Sequence, residues 1–423
     1  SLQSITIPNS MECVSGRLFE MCTSLERVNL PESVKTIGPW AFAHCKSLQN
    51  LTLPSSLTTI CEFAFFDCES LQSINIPKSV TSIKECAFMD CVSLRSIDLP
   101  KSIKTINCNT FEGCKSLQTA TIPSVKSIGN NAFRGCESLK SIDIPSSVER
   151  IWYCAFSGCK SLQSISIPNS VIRIEGSSFW RCESLKNISL PSSIKSIERA
   201  AFHGCVSLQS IKIPSSVKVI GRIAFSSCNS LRSFTIPKSV EEIGGGVFAD
   251  CEIDKLIIES NKFSTDGICL FDSKAKILIS SHKKSVEDYV IPNSVTVIEY
   301  SAFVDCESLK RISIPSTVDR IAEFAFAGCE SLESIDIPDS LTSIESSSFQ
   351  NCISLKSVKI PSSVKVIREC AFKGCTSLQT IEFPKTVRKI EEEAFKNCTA
   401  LQTIIIPKGT MSKFKKLFYG RED

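Results

Sequence analysis

Apolar and polar residues along this chain follow one long pattern, L-x-x-I-x-I-P-x-S-V-x-x-I-x-x-x-A-F-x-x-C, repeated with a period of 23 residues. Prolines mark the beat at Pro8, Pro31, Pro54, Pro77, Pro100 and Pro123. One step of 22 residues leads to Pro145, and the period resumes through Pro168, Pro191, Pro214 and Pro237. It returns at Pro292 and runs through Pro315, Pro338, Pro361, Pro384 and Pro407. Within one unit, Ile74 and Ile76 alternate with Ser73 and Asn75, the two-residue period of a strand buried on one face. Pro77 ends that strand and turns the chain. Val80 and Ile83 return to the interior from a second extended side, Ala87 and Phe88 plug the corner, and Cys91 closes the circuit before Leu94 opens the next strand. A unit this short cannot bury its apolar face alone, so units must stack, and the chain is predicted to be one long solenoid.

The beat breaks once. After Cys251 the spacing shortens by one residue, Glu259 stands where a proline is expected, and Asn261 to Tyr289 follows a different pattern. There, apolar runs from Gly267 to Phe271 and from Lys276 to Ile279 flank the polar Asp272-Ser273-Lys274-Ala275, which predicts a hairpin projecting from the solenoid. The expected organisation is a first repeat block over 1–252, an irregular segment with the hairpin over 253–291, a second block over 292–407 and a cap over 408–423. In the cap, Met411, Phe414, Leu417 and Phe418 fall at helical spacing, which predicts an amphipathic helix over the last coil. The chain opens inside a unit at Ser1, so a further N-terminal stretch is expected in the natural protein.

Charge changes this picture little. A net charge of +4 from 48 basic and 44 acidic residues among 423 gives no reason to expect nucleic acid or an anionic membrane as a partner. No apolar run approaches the roughly 18 residues of a membrane span. After the corner cysteine, Lys115, Glu137, Lys160 and Glu183 alternate in sign over four successive coils, which pairs neighbours and disfavours slippage.

Cysteine use changes it more. Of the 23 cysteines, sixteen hold one repeat position: Cys22, Cys45, Cys68, Cys91, Cys114, Cys136, Cys159, Cys182, Cys205, Cys228, Cys251, Cys306, Cys329, Cys352, Cys375 and Cys398. Stacked rungs lie about 4.7–4.9 Å apart, beyond the roughly 3.5–4.5 Å between Cβ atoms that a disulfide needs. A column of buried free thiols is therefore expected, each acting as a small apolar side chain.

The strand, return and corner motifs together resemble the BspA-type leucine-rich repeat over essentially the whole chain. Asp266-Gly267-Ile268-Cys269-Leu270-Phe271 is similar to the insert such proteins carry between repeat blocks, and Pro407-Lys408-Gly409 to their C-terminal cap. The resemblance implies a leucine-rich repeat solenoid, a curved right-handed superhelix of about 18 coils with a parallel sheet on its concave face and little helix. It also implies a cell-surface or secreted protein, of a kind found in host-associated bacteria and mucosal protists and implicated in adhesion to host matrix and cells.

No catalytic constellation stands out. The three histidines, His44, His203 and His282, occupy non-equivalent positions, so neither a His-based triad nor a metal cluster is expected, and no cofactor is implied. Function then falls to a surface. The outward columns of the predicted sheet are Ser, Thr and Asn with scattered charges: Arg27, Asp98, Asp143, Lys212, Arg311, Asp336, Lys359 and Glu382. A second candidate is the aromatic group Trp152, Tyr153 and Trp180 on adjacent coils, residue types enriched in binding hot spots. The hairpin is a third. The reading from sequence is a non-enzymatic, monomeric adhesion protein contacting host matrix or cell-surface proteins, with an intracellular, cytoplasmic scaffold as the alternative.

Overall fold

A computed structural model describes residues 2–410 and 412. The repeats close into a leucine-rich repeat β-solenoid of about 17 turns. At the irregular segment the strand Lys255–Ile258 pairs in parallel with Ser233–Ile236, and past Glu259 the chain runs through antiparallel strands before it rejoins the stack.

The unit around Phe88 shows why the motif has its form. Ser73–Ile74 pairs in parallel with Asn50–Leu51, and Ser82–Ile83 pairs with Thr59–Ile60. This coil thus contributes one rung to a first ladder and one to a second. Between them the Pro77 carbonyl accepts the Val80 amide at 3.0 Å, closing a tight turn that needs no N–H from proline. The serine two residues after the proline ties coils together, as in Ser56 Oγ donating to the Val34 carbonyl at 2.7 Å and Ser147 Oγ to Val125 at 2.8 Å.

At the corner, Phe88 is fully buried and stacks on Phe65 at 5.2 Å and Phe111 at 5.7 Å, with planes within 8°. The Cys91 thiol donates to the Phe65 carbonyl at 3.1 Å, while the same carbonyl accepts the Cys68 amide at 3.3 Å. Both lone pairs of a buried carbonyl are used, which is the physical reason for a cysteine three residues after each phenylalanine. This bond recurs from Cys45 to Cys251 and again from Cys329 to Cys398, and all 23 cysteines are free thiols.

Phe88 is flanked by two left-handed residues, Cys86 with φ 57° and Asp90 with φ 58°. The second of these positions suits glycine or a short polar residue. Gly113 occupies it one coil on, beneath the Asp90 carboxylate, where an added Cβ would come within 2.0 Å of Oδ1. Outside, the alternating charges pair as expected where Lys160 meets Glu137 at 3.0 Å, an exposed contact worth about 1 kcal/mol at most.

The chain forms two compact units: Ser1–Val219 with Cys228–Leu231, and Ile220–Ser227 with Arg232–Asp423. The hairpin expected to project belongs to the second unit and does not stand off it. Cys269–Asp272 pairs antiparallel with Phe263–Thr265 and with Ile277–Ser281, and the last of these joins the second ladder by pairing in parallel with Val297–Ile298. Cys269, Leu270 and Leu278 are fully buried. Their apolar side chains are the reason the segment is laid into the stack. Pro407 to Thr410 form a turn, the Thr410 amide reaching the Pro407 carbonyl at 3.2 Å. The expected cap helix beyond it, with Met411, Phe414, Leu417 and Phe418, lies outside the described residues.

Candidate functional site: the outer faces of the two ladders

On the first ladder, inward isoleucines leave the residues on either side pointing outward, so all the charges singled out from sequence are exposed. In the first unit they are dispersed among hydroxyls and amides. Ser73 Oγ donates to Asn50 Oδ1 at 2.9 Å, and Thr121 Oγ1 donates to Asp98 Oδ1 at 2.6 Å. Arg27, Asp143 and Lys212 stand on separate coils, with no ion pair among them in the described residues.

The second unit differs. Arg311 meets Asp288 through two parallel bonds of 2.8 Å each, Nε to Oδ1 and Nη2 to Oδ2, the two-point geometry that a guanidinium and a carboxylate favour. A trough of about 390 Å³ lies along this pair, lined also by Val290, Ser334 and Asp336. A second, of about 340 Å³, shares Ser334 and Asp336 and continues to Asp339, Ser357 and Lys359. The structure therefore gathers Arg311, Asp336 and Lys359 on one face, and adds Asp288 and Val290, the latter 73% exposed. Those two were missed because they fall in the segment read as irregular. Counting back from Pro292 would have placed both on the outward columns.

The aromatic trio does not form one group. Trp152 lies under the Arg150 guanidinium, 5.1 Å from its ring centre, and Tyr153 is exposed beside it. Trp180 lies past the corner Phe179, stacked on His203 at 6.2 Å and covered by Arg181 at 5.2 Å. Among the described residues no ring contact joins it to Trp152 or Tyr153. A tighter aromatic group went unnoticed: Trp40 stacks on Phe63 at 4.2 Å, with Phe66 edge-on at 5.7 Å and Arg17 over the indole at 5.4 Å. Its signal was present in sequence, since Trp40 and Phe63 each stand two residues before a corner phenylalanine.

The thiol column offers little nucleophilic chemistry. Burial pushes the thiols of Cys45, Cys205, Cys306 and Cys398 up to about 12, which keeps them protonated. Among the described residues no three His, Cys, Asp or Glu side chains are grouped to hold a metal, and no helix is long and apolar enough to cross a membrane.

A family model for the BspA type leucine-rich repeat region matches residues 1–117, 37–163, 150–277, 280–368 and 344–422. The chain belongs to this BspA-type family. Its repeat is generally a non-enzymatic scaffold, and leucine-rich repeat folds generally mediate protein binding. Among solved structures, a leucine rich cell surface protein from Faecalibacterium prausnitzii is similar, with 26% identity over 98% of this chain and 90% of that one and a TM-score of 0.53. A leucine-rich repeat protein from Bacteroides ovatus has 27% identity over 100% of this chain and 90% of that one, at a TM-score of 0.46. No curated protein is similar in sequence at a significant level.

Proposed function

We propose that this BspA-type chain is a non-enzymatic, monomeric binding protein of the cell surface or the secreted fraction, and that it contacts host matrix or cell-surface proteins through the first-ladder face of its second unit. The observation that carries this reading is the trough over Asp288, Arg311, Asp336 and Lys359, where charges of both signs and the exposed Val290 replace the hydroxyl ladders of the first unit. Interspersed charges select a complementary partner and fix its register more than they add affinity. Likeness to the Faecalibacterium prausnitzii cell surface protein supports the location.

Two measurements test this. Brief protease treatment of intact source cells should release the chain while a cytosolic control stays inside. Reversing two trough charges, Asp336→Lys with Lys359→Glu, should abolish attachment to immobilised matrix proteins without lowering the melting temperature. Retention of the chain with the control would favour the intracellular scaffold, a reading supported by 23 free thiols that suit a reducing compartment. Undiminished attachment of the doubly reversed variant would move the contact elsewhere.

A further inference from the structure

The second ladder of the first unit is irregular at its one short repeat. The 22-residue step from Pro123 to Pro145 costs the repeat one residue, and beside it Ile106 meets Ile128 as a single bridge instead of a paired strand. Pairing resumes with Ser127 opposite Arg150 and Ile128 opposite Ile151. Continuing that register sets Gly129 across from Trp152, whose amide donates to the Ile128 carbonyl at 3.0 Å. Gly129 lies so close to Asn107 that a Cβ would come within 2.7 Å of its backbone, so no side chain rises between the two coils. What opens instead is a groove of about 290 Å³, walled by Trp152 and lined by Thr105, Asn107, Ser127 and Asn130. Asn107 is held in place by its own Nδ2, which donates to the Ile83 carbonyl at 2.5 Å.

We propose that this groove binds one ring of an acidic sugar, the carbon face of the pyranose lying on the Trp152 indole and its carboxylate on Arg150. The electron-rich face of an indole attracts the polarised C–H edge of a sugar ring, and two amides with two hydroxyls match its hydroxyl groups. An apolar anchor from a protein partner would leave those polar groups unpaired on burial, which is costly. The volume is near the lower end, about 300 Å³, at which small-molecule sites begin, enough for one or two rings. The acidic class follows from Arg150. Its guanidinium is exposed at 5.1 Å from the indole centre, and no carboxylate pairs with it among the described residues. The adjacent Glu149 is engaged by Lys126 at 2.6 Å. A planar guanidinium held over a ring is suited to a two-point carboxylate contact from its free edge. This site is on the second ladder of the first unit and is independent of the protein-binding trough.

Trp152 becomes the sole indole in a Trp40→Phe, Trp180→Phe background, so its fluorescence reports the groove directly. That protein is titrated with free glucuronate, with an oligosaccharide of alternating glucuronate and N-acetylglucosamine, and with a neutral chitin oligosaccharide. The expected result is a saturable emission change with both acidic probes. Tighter binding of the oligosaccharide would identify a glycan chain as the source, and equal binding the free sugar acid. Arg150→Gln, a surface change that leaves the fold intact, should weaken acidic binding by at least about tenfold. Trp152→Ala should abolish binding measured by calorimetry at an unchanged melting temperature. No saturable change with any probe at millimolar concentration overturns the site. Equal affinity for the neutral oligosaccharide, or no loss on Arg150→Gln, overturns the acidic assignment.

Discussion

The regular coils and the segment from Gly267 to Ile291 build the same core by different means. In a regular coil, the corner phenylalanine stacks on its neighbours and its carbonyl takes the thiol of the next coil. Phe133, Phe156 and Phe179 follow one another at 5.6 and 5.8 Å in this way. In the irregular segment the corner position falls to Ser280 and Ser281. The Phe248 amide turns to Ser280 Oγ at 3.2 Å, and the Ser281 amide reaches the Ala302 carbonyl at 2.6 Å. The ring column is interrupted, and aromatic residues from first-ladder strands take over. Phe234 packs edge-on against Phe248 at 4.8 Å, and Tyr289 tilts against Phe303 at 5.8 Å. Both stand where other coils carry isoleucine. A ring missing from one column is thus offset by a larger side chain in another, as dense packing of the core requires.

The strongest way to break the comparison is in the regular part. Phe156→Ala leaves a cavity between two stacked rings and should cost about 3–5 kcal/mol, read as a lower urea midpoint or as local exchange of the coils on either side. Ser281→Phe restores the motif where the space is already filled from the strand. It should destabilise by about 1–3 kcal/mol, whereas a gain in stability would show that Phe234 and Tyr289 do not compensate. Tyr289→Phe keeps the ring but removes the hydroxyl that donates to Asp266 Oδ2 at 2.5 Å. Because that carboxylate also accepts the Ile268 and Cys269 amides, the expected loss is about 1 kcal/mol, seen as faster hydrogen exchange confined to the segment.

The smallest effect separates the two regions by pH. In the irregular segment, burial lowers the His282 imidazole below its ordinary 6.5, so its neutral form is favoured in the fold. That contribution is present above pH 6.5 and declines as pH falls, because the unfolded chain takes up the proton first. In a regular coil, partial burial together with Asp250 and Glu307 raises the Asp305 carboxyl from 3.8 to about 6. The sign is opposite: its contribution is complete below pH 3.8 and is lost as pH rises through about 6. Asp305→Asn should therefore stabilise the protein at pH 7 and not at pH 3.5, by about 1 kcal/mol or less because water screens an exposed site. Equal effects at both pH values would assign the gain to packing over Gly328.

The strand, turn, corner and thiol column were all legible in sequence because each rests on a side chain of fixed type at a fixed position. The left-handed pair at the corner was only half legible. Its second position mostly shows residues such as Gly113, Asp90 or Asn351, types that tolerate such a backbone, with Met21 and Arg181 as exceptions, while its first carries Trp40, Phe63, Cys86 and Ile223, which share no chemistry. Placement of the hairpin was hidden because runs such as Cys269-Leu270-Phe271 suit a projecting ribbon and a buried rung equally well. Of the candidate sites, the outward charges could be read from alternation. Their gathering around Asp288 could not, and neither could the parting of Trp180 from Trp152, since nearness in sequence does not say which corner of a coil a ring occupies.

The thiol bond has a consequence for the order of events during synthesis. Most column cysteines reach back to a phenylalanine carbonyl 25 or 26 residues earlier, as Cys182 does to Phe156, so such a sulfur is sheltered only when its own coil closes onto the one before. A chain emerging from the ribosome shields these sulfurs one after another, from the N-terminal side onward. Until the last coil is laid down, the stretch still unfolded is open to oxidants, and a single premature sulfenic acid or crosslink would halt winding at that coil.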